Sequence, residues 1–212
     1  MSTSKELWIL PSRSRPQNLG RLIAACRATG MSTPALVRLD EDDFTLSQYK
    51  SLIMPDNWKI TVGPRLPLSG VYNEAYRTMP ETEHFGFIAD DVVPETHGWD
   101  RALIDSAGRD GMAVPAGGDT TGGTPHFVLG GDLVRSIGWL ALPGLDRLWI
   151  DTVWRDIAQQ RGVLRYLPEV VLSHLHFSNG KALFDRTYKK HNKAQDKALY
   201  ETWKDTQPER NP

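Results

Sequence analysis

Short apolar runs alternate along the chain with stretches that repeat apolar positions every three or four residues. "ELWIL" (6–10), "PALVRL" (34–39), "WKITVG" (58–63) and "FGFIA" (85–89) have the length and β-branched or aromatic content of buried strands. Between the first two, Leu19, Leu22, Ile23 and Cys26 fall at i, i+3, i+4 and i+7, one face of a helix that Gly30 can close. The same reading predicts helices over "VYNEAYRTM" (71–79), "WDRALIDSAG" (99–108), 132–138 and 147–160, and strands over "MAVPAG" (112–117) and "YLPEVVLSHLHF" (166–177). From Lys181 the chain is charged and weakly periodic, and its last few residues are expected to fray. Strands alternating with helices predict one layered α/β domain over 1–190, with a mostly parallel central sheet flanked by helices, and a charged C-terminal tail over 191–212.

Composition narrows the class without changing this picture. A chain of 212 residues can bury one substantial core, and 40% hydrophobic with 24% charged residues is ordinary for a globular protein. The net charge of −1 gives no overall attraction to nucleic acid or anionic membrane. A single cysteine, Cys26, excludes disulfide and cysteine-zinc frameworks and points to a reducing compartment. No apolar run has the length of a signal peptide or membrane span, so a cytoplasmic protein without a membrane partner is expected.

In parallel α/β sheets, ligands collect at the carboxyl ends of the strands. The segments following the first four predicted strands are "PSRSRP", "DEDD", "GPR" and "DDVVP", rich in arginines and acids. Asp90 and Asp91 leave a buried strand side by side, where each raises the other's pKa unless a cation intervenes. Such a doublet suits a hard divalent ion such as Mg²⁺ or Mn²⁺, and equally a solvated turn. Arg13 and Arg15 flank Ser14 before a helix start, a setting for phosphate or for a capped, solvated turn. Asp40 closes a strand where a carboxylate can accept from a ribose or base. For Glu41, Asp42 and Asp43 a surface turn is the better reading. Asp151, near the start of a helix, can serve as a general base or pair with Arg155 four residues on. His174 and His176 point to one side of a strand, as metal ligands or structural residues, and Lys181 follows Gly180 within reach of a phosphate.

Together "ILPSRSRPQNLGRL", "LDEDD", "YNEAY", "FIADDVVP", "LWIDTVWRDIAQQRG" and "SHLHFSNGK" resemble, in their order over roughly residues 7–190, the GT-A fold glycosyltransferases. The likeness is to the family-2-like group and its small phage-type members. The resemblance implies a Rossmann-like nucleotide-binding domain that moves a sugar from a nucleotide-sugar, expected to be a UDP-sugar, to an acceptor hydroxyl. It places Asp91 on a divalent ion (Mn²⁺ or Mg²⁺) and Asp90 on the ribose or the metal's shell. Pro11, Arg13, Arg15, Asp40, Arg65 and Asn73 fall around the nucleotide, Lys181 near the phosphates, and His174 or His176 completes the metal's coordination. Asp151 corresponds to the acid of an "ED" catalytic-base motif, with Ile150 where a Glu is usual. The loop 117–125 and His126 could border the acceptor and close over the donor. The phage-type likeness raises a hydroxymethylated DNA base as one acceptor, with the basic "RTYKKHNK" as a DNA contact or a solvated helix face. Two rivals remain. A nucleotidyltransferase should carry a Gly- and Lys-containing loop after its first strand, which "PSRSRP" lacks, and an inactive nucleotide-binding module would bind without turnover.

Overall fold

The computed structural model describes residues 5–116, 125–175, 180–181 and 193–207. Strand β1 (Glu6–Ser12) is followed by α1 (Pro16–Ala28), β2 (Ala35–Asp40), α2 (Leu46–Lys50), β3 (Trp58–Gly63), α3 (Leu68–Thr78) and β4 (His84–Phe87). Then come β5 (Val92–Pro94), α4 (Trp99–Ala107), β6 (Met112–Ala116), β7 (Phe127–Gly130), α5 (Gly131–Ile137), α6 (Ile150–Gln160), β8 (Leu164–His174) and α7 (Lys193–Asp205).

Alternation along β1 explains the layering. Leu7 and Ile9 enter one core with α3, α5 and α6, while Trp8 and Leu10 enter a second with α1 and α4. A strand buried on both faces reads as a continuous apolar run, as "ELWIL" does. Gly86 is fixed by close approach, since a Cβ there would lie 2.3 Å from the Trp8 indole. That indole meets Trp99 of α4 edge-on, with ring centres 4.6 Å apart.

The eight strands form one sheet in the order β3-β2-β1-β4-β7-β6-β8-β5. The sheet is mixed, which corrects the expectation of a mostly parallel one. β3, β2, β1 and β4 are mutually parallel, but β7 runs antiparallel to both β4 and β6, and β5 antiparallel to β8. A parallel pair needs a crossover element between its strands, whereas an antiparallel pair does not. Helices α1 to α3 supply crossovers in the first half, but no helix stands between β6 and β7 among the described residues. β1 also runs two residues beyond "ELWIL", so Pro11 lies in the strand, opposite Arg38, rather than in the loop after it. No helix among the described residues is long and apolar enough to cross a membrane.

Candidate active site

The parallel half of the sheet brings its polar strand ends together. Arg13, just past β1, donates to Asp40 at the end of β2 (2.8 Å) and grips Asp42 through both terminal nitrogens. Ser14 adopts a left-handed backbone (φ 57°), with its N–H donating to Asp43 at 2.6 Å. Asp43 also accepts from the Thr45 amide and hydroxyl, so it is a buried brace between two loops rather than the surface acid expected. Arg38, buried within β2, bonds Glu74 at 2.8 Å and the Pro64 carbonyl at 2.8 Å. It pins β2 to the loop after β3. Its sequence signal was a lone arginine inside an apolar strand.

β4 ends at Phe87, and Asp90 and Asp91 follow, 4% and 3% exposed. A hydrogen-bonded chain reaches Asp90 from the rim. The Arg15 N–H donates to the Tyr49 hydroxyl (2.9 Å), which lies 2.7 Å from Ser12 Oγ, which donates to Asp90 at 2.5 Å. The Arg15 side chain, 8% exposed, faces both acids with one nitrogen 3.4 Å from each. Burial, and then the charge of Asp91, push the Asp90 carboxyl up to about 6. For Asp91 burial pulls upward too, but contact with His174, together with the nearby His126 and Arg15, holds it well below the usual carboxylate range.

His174 is delivered by strand pairing. β5, directly after the acids, runs antiparallel to the end of β8, with Val92 opposite His174, and the Leu175 N–H donates to the Asp91 carbonyl at 2.7 Å. His174 Nε2 therefore stands 3.2 Å from Asp91 Oδ1. Next to it lies His126, whose ring is perpendicular to that of His174 with centres 5.0 Å apart. His126 is 2% exposed, and burial followed by the neighbouring His174 pushes its imidazole down to about 3.

These residues fit a divalent cation. Two adjacent buried carboxylates, one of them against an imidazole, gather oxygen and nitrogen donors in a dry place, where crowded like charge is costly. Mixed carboxylate and imidazole donors suit Mn²⁺ better than all-oxygen Mg²⁺ chemistry. No three His, Cys, Asp or Glu side chains form a ready-made ligand set among the described residues.

A second wall comes from α6 and α7. Asp151 lies half-buried in the first turn of α6, and its charge and that of Arg147 reach Tyr72, which packs on Phe87 at 4.3 Å. The turn before Asp151 is under constraint. Trp149 is left-handed (φ 65°), and with Ser14 it is one of two such non-glycine residues among those described. Ser14 lies between Arg13 and Arg15, and Trp149 two residues before Asp151, and strained backbone tends to gather near functional groups. α7 holds this turn in place. Asp196, fully buried, accepts from the amides of Asp146, Arg147 and Leu148 at 2.7, 2.9 and 2.8 Å. Tyr200 stacks near Trp149 and donates to Asp156 at 2.6 Å. The weak periodicity of the tail gave no hint of this.

The remaining expected residues are more loosely tied to this cluster. Asn73 accepts from the amides of Leu140 and Ala141 and donates to the Ala141 carbonyl, so its amide braces the loop after α5 instead of facing the rim. Arg65 is exposed, close enough to Asp42 to lower its pKa, and lines a cavity of about 660 Å³ with Asn73, Arg77, Asp146 and Gln195. Lys181 is exposed. His176, most of the 117–125 loop and most of "RTYKKHNK" lie outside the described residues.

No family model and no curated protein matches the sequence. Solved structures do match the fold. A mannosyltransferase from Pyrobaculum calidifontis, PcManGT, in complex with GDP-Man and Mn²⁺, superimposes with a TM-score of 0.64 at 12% identity, over 82% of this chain and 57% of its own. GalNAc-T7 with UDP, GalNAc and Mn²⁺ gives 0.62 at 12%, over 83% and 44%. A protein described as a nucleotide-diphospho-sugar transferase, from Desulfovibrio desulfuricans G20, gives 0.54 at 11%, over 78% and 80%. The chain spans about half the length of the first two. It carries the GT-A-type fold of the nucleotide-diphospho-sugar glycosyltransferases.

Proposed function

We propose that this protein is a metal-dependent glycosyltransferase that moves a sugar from a nucleotide-sugar, UDP-linked, to an acceptor hydroxyl. The observation that carries the proposal is the buried Asp90–Asp91 pair at the end of β4, with His174 brought against Asp91 by β5–β8 pairing. Asp91 and His174 would hold the divalent ion, which when bound offsets negative charge on the leaving diphosphate. Asp90, tied to Ser12 and Arg15, keeps Asp91 in place and faces the ribose. Asp40, gripped by Arg13, offers a carboxylate to the ribose or base, and Arg65 and Lys181 add positive charge beside the phosphates. Asp151 removes the acceptor proton, giving inversion at the anomeric carbon. Among acceptors, a hydroxymethylated base in phage DNA follows from the phage-type resemblance of the sequence.

Thermal melting with nucleoside diphosphates and nucleotide-sugars, with and without Mn²⁺, tests this reading. A selective rise for UDP or a UDP-sugar is expected with Mn²⁺, lost in Asp91→Ala. A flat response across the panel overturns it. Asp151→Asn is expected to lower turnover by about 10²–10⁴-fold with the melting point little changed. Equal turnover would remove Asp151 as the base. Transfer of labelled sugar to hydroxymethylated but not to unmodified DNA tests the acceptor, and no label on either sinks it.

A further inference from the structure

We propose that His126 is a further ligand of the divalent cation, joining Asp91 and His174. The inference rests on the metal site proposed above and extends it to a residue from a different strand. Three observations carry it.

The first is an orphan. His126 is 2% exposed, and neither Nδ1 nor Nε2 has a hydrogen-bond partner among the described residues. Buried polar groups in native proteins are nearly always paired, and an exception calls for an unplaced ion or water. His126 is the one buried ring among the described residues with two such nitrogens.

The second is position. Phe127 pairs with Phe87 in the β4–β7 ladder, so His126 stands at the end of β4 from which Asp90 and Asp91 emerge. The charged and titratable groups that act on it are His174 and Asp91. β7 thus brings an imidazole to the place where β4 brings acids and β8 another imidazole.

The third is ring geometry. Imidazoles bound to one ion through nitrogens about 2 Å away, at roughly a right angle or a little wider, have centres roughly 5 Å apart. The centres of the His126 and His174 rings are 5.0 Å apart, the spacing such a pair requires, with the ring planes perpendicular. His174 Nε2 lies 3.2 Å from Asp91 Oδ1, so a carboxylate flanks the imidazole pair, and small side-chain shifts on binding would complete the ligand set. Imidazole donors shift preference from Mg²⁺ and Ca²⁺ towards Mn²⁺, Co²⁺ and Zn²⁺, so the inference also names a selectivity.

The experiment measures binding of metal alone, without nucleotide, by calorimetry and by nitrogen couplings in the electron-spin-echo spectrum of bound Mn²⁺. The wild type is expected to show two histidine nitrogens, and His126→Leu one. Affinity for Mn²⁺ and Co²⁺ should fall about tenfold or more in the variant, with Mg²⁺ affinity much less affected. Wild type that binds Mn²⁺ with a single histidine nitrogen, or His126→Leu that binds it equally well, overturns this inference and leaves the Asp91–His174 site standing. Wild type that binds no metal removes both. Thermal melting guards against a folding defect. His126→Leu should melt no lower than wild type without metal, because an unsatisfied polar ring is gone, and should lose most of the Mn²⁺-induced rise. If Leu does not fold, His126→Asn is measured in the same way. A lower metal-free melting point with the full Mn²⁺-induced rise would make His126 a packing residue only.

Discussion

Two buried acidic sites in this molecule are built on opposite plans. Asp196 is fully enclosed and satisfied by three backbone N–H groups at 2.7–2.9 Å, which suits a carboxylate that only has to hold a loop. Asp90 and Asp91 are almost as buried, yet they stand side by side, and the Arg15 nitrogen that faces both is 3.4 Å from each. The first arrangement leaves nothing for a ligand to add. The second crowds two carboxylates into one buried place, with Arg15 and His174 against them, and carboxyls perturbed in this way cluster at functional sites.

The sharpest way to break this contrast is Asp196→Ala. It strands three amides before α6, and unfolding in urea is expected to show a loss of about 3 kcal/mol or more. A loss below about 1 kcal/mol would mean that α7 is not the clamp described. Asp90→Asn should act in the other direction in metal-free protein. The folded pKa of this acid lies above its unfolded value, so its contribution favours the fold below about pH 4 and is lost as pH rises through about 6. The variant lacks that decline, and at about pH 8 it should be more stable than wild type by roughly 1–3 kcal/mol, the gain vanishing near pH 4. Parallel stability–pH curves for the two proteins would contradict the strained-pair reading. The smallest effect is expected for Tyr49→Phe, which cuts the relay from the Arg15 amide to Ser12. A loss of about 1 kcal/mol is anticipated, and no change would show that the relay does not hold Asp90.

The two plans also differ in how far the sequence disclosed them. The β1–β4 half was largely readable because its strands, crossovers and polar strand ends are local features. Parallel register then brings Arg13 to Asp40, and Arg15 to Asp90 and Asp91. What stayed hidden depends on pairings between distant segments. Nothing local shows that β7 inserts antiparallel beside β4, that Asp43 and Asn73 spend their polar atoms on backbone, or that an acid in a weakly periodic tail will cap a turn about fifty residues earlier. His126 was read as a neighbour of the acceptor because its lack of partners exists only in three dimensions.

The indole of Trp8, lying across Gly86, leaves the strand that carries the acids no spare depth. Any side chain at 86 would have to lift β4 or evict the indole from between the helices. Attempts to retune the chemistry by randomising this strand should therefore leave positions 8 and 86 alone and vary the loops that frame them.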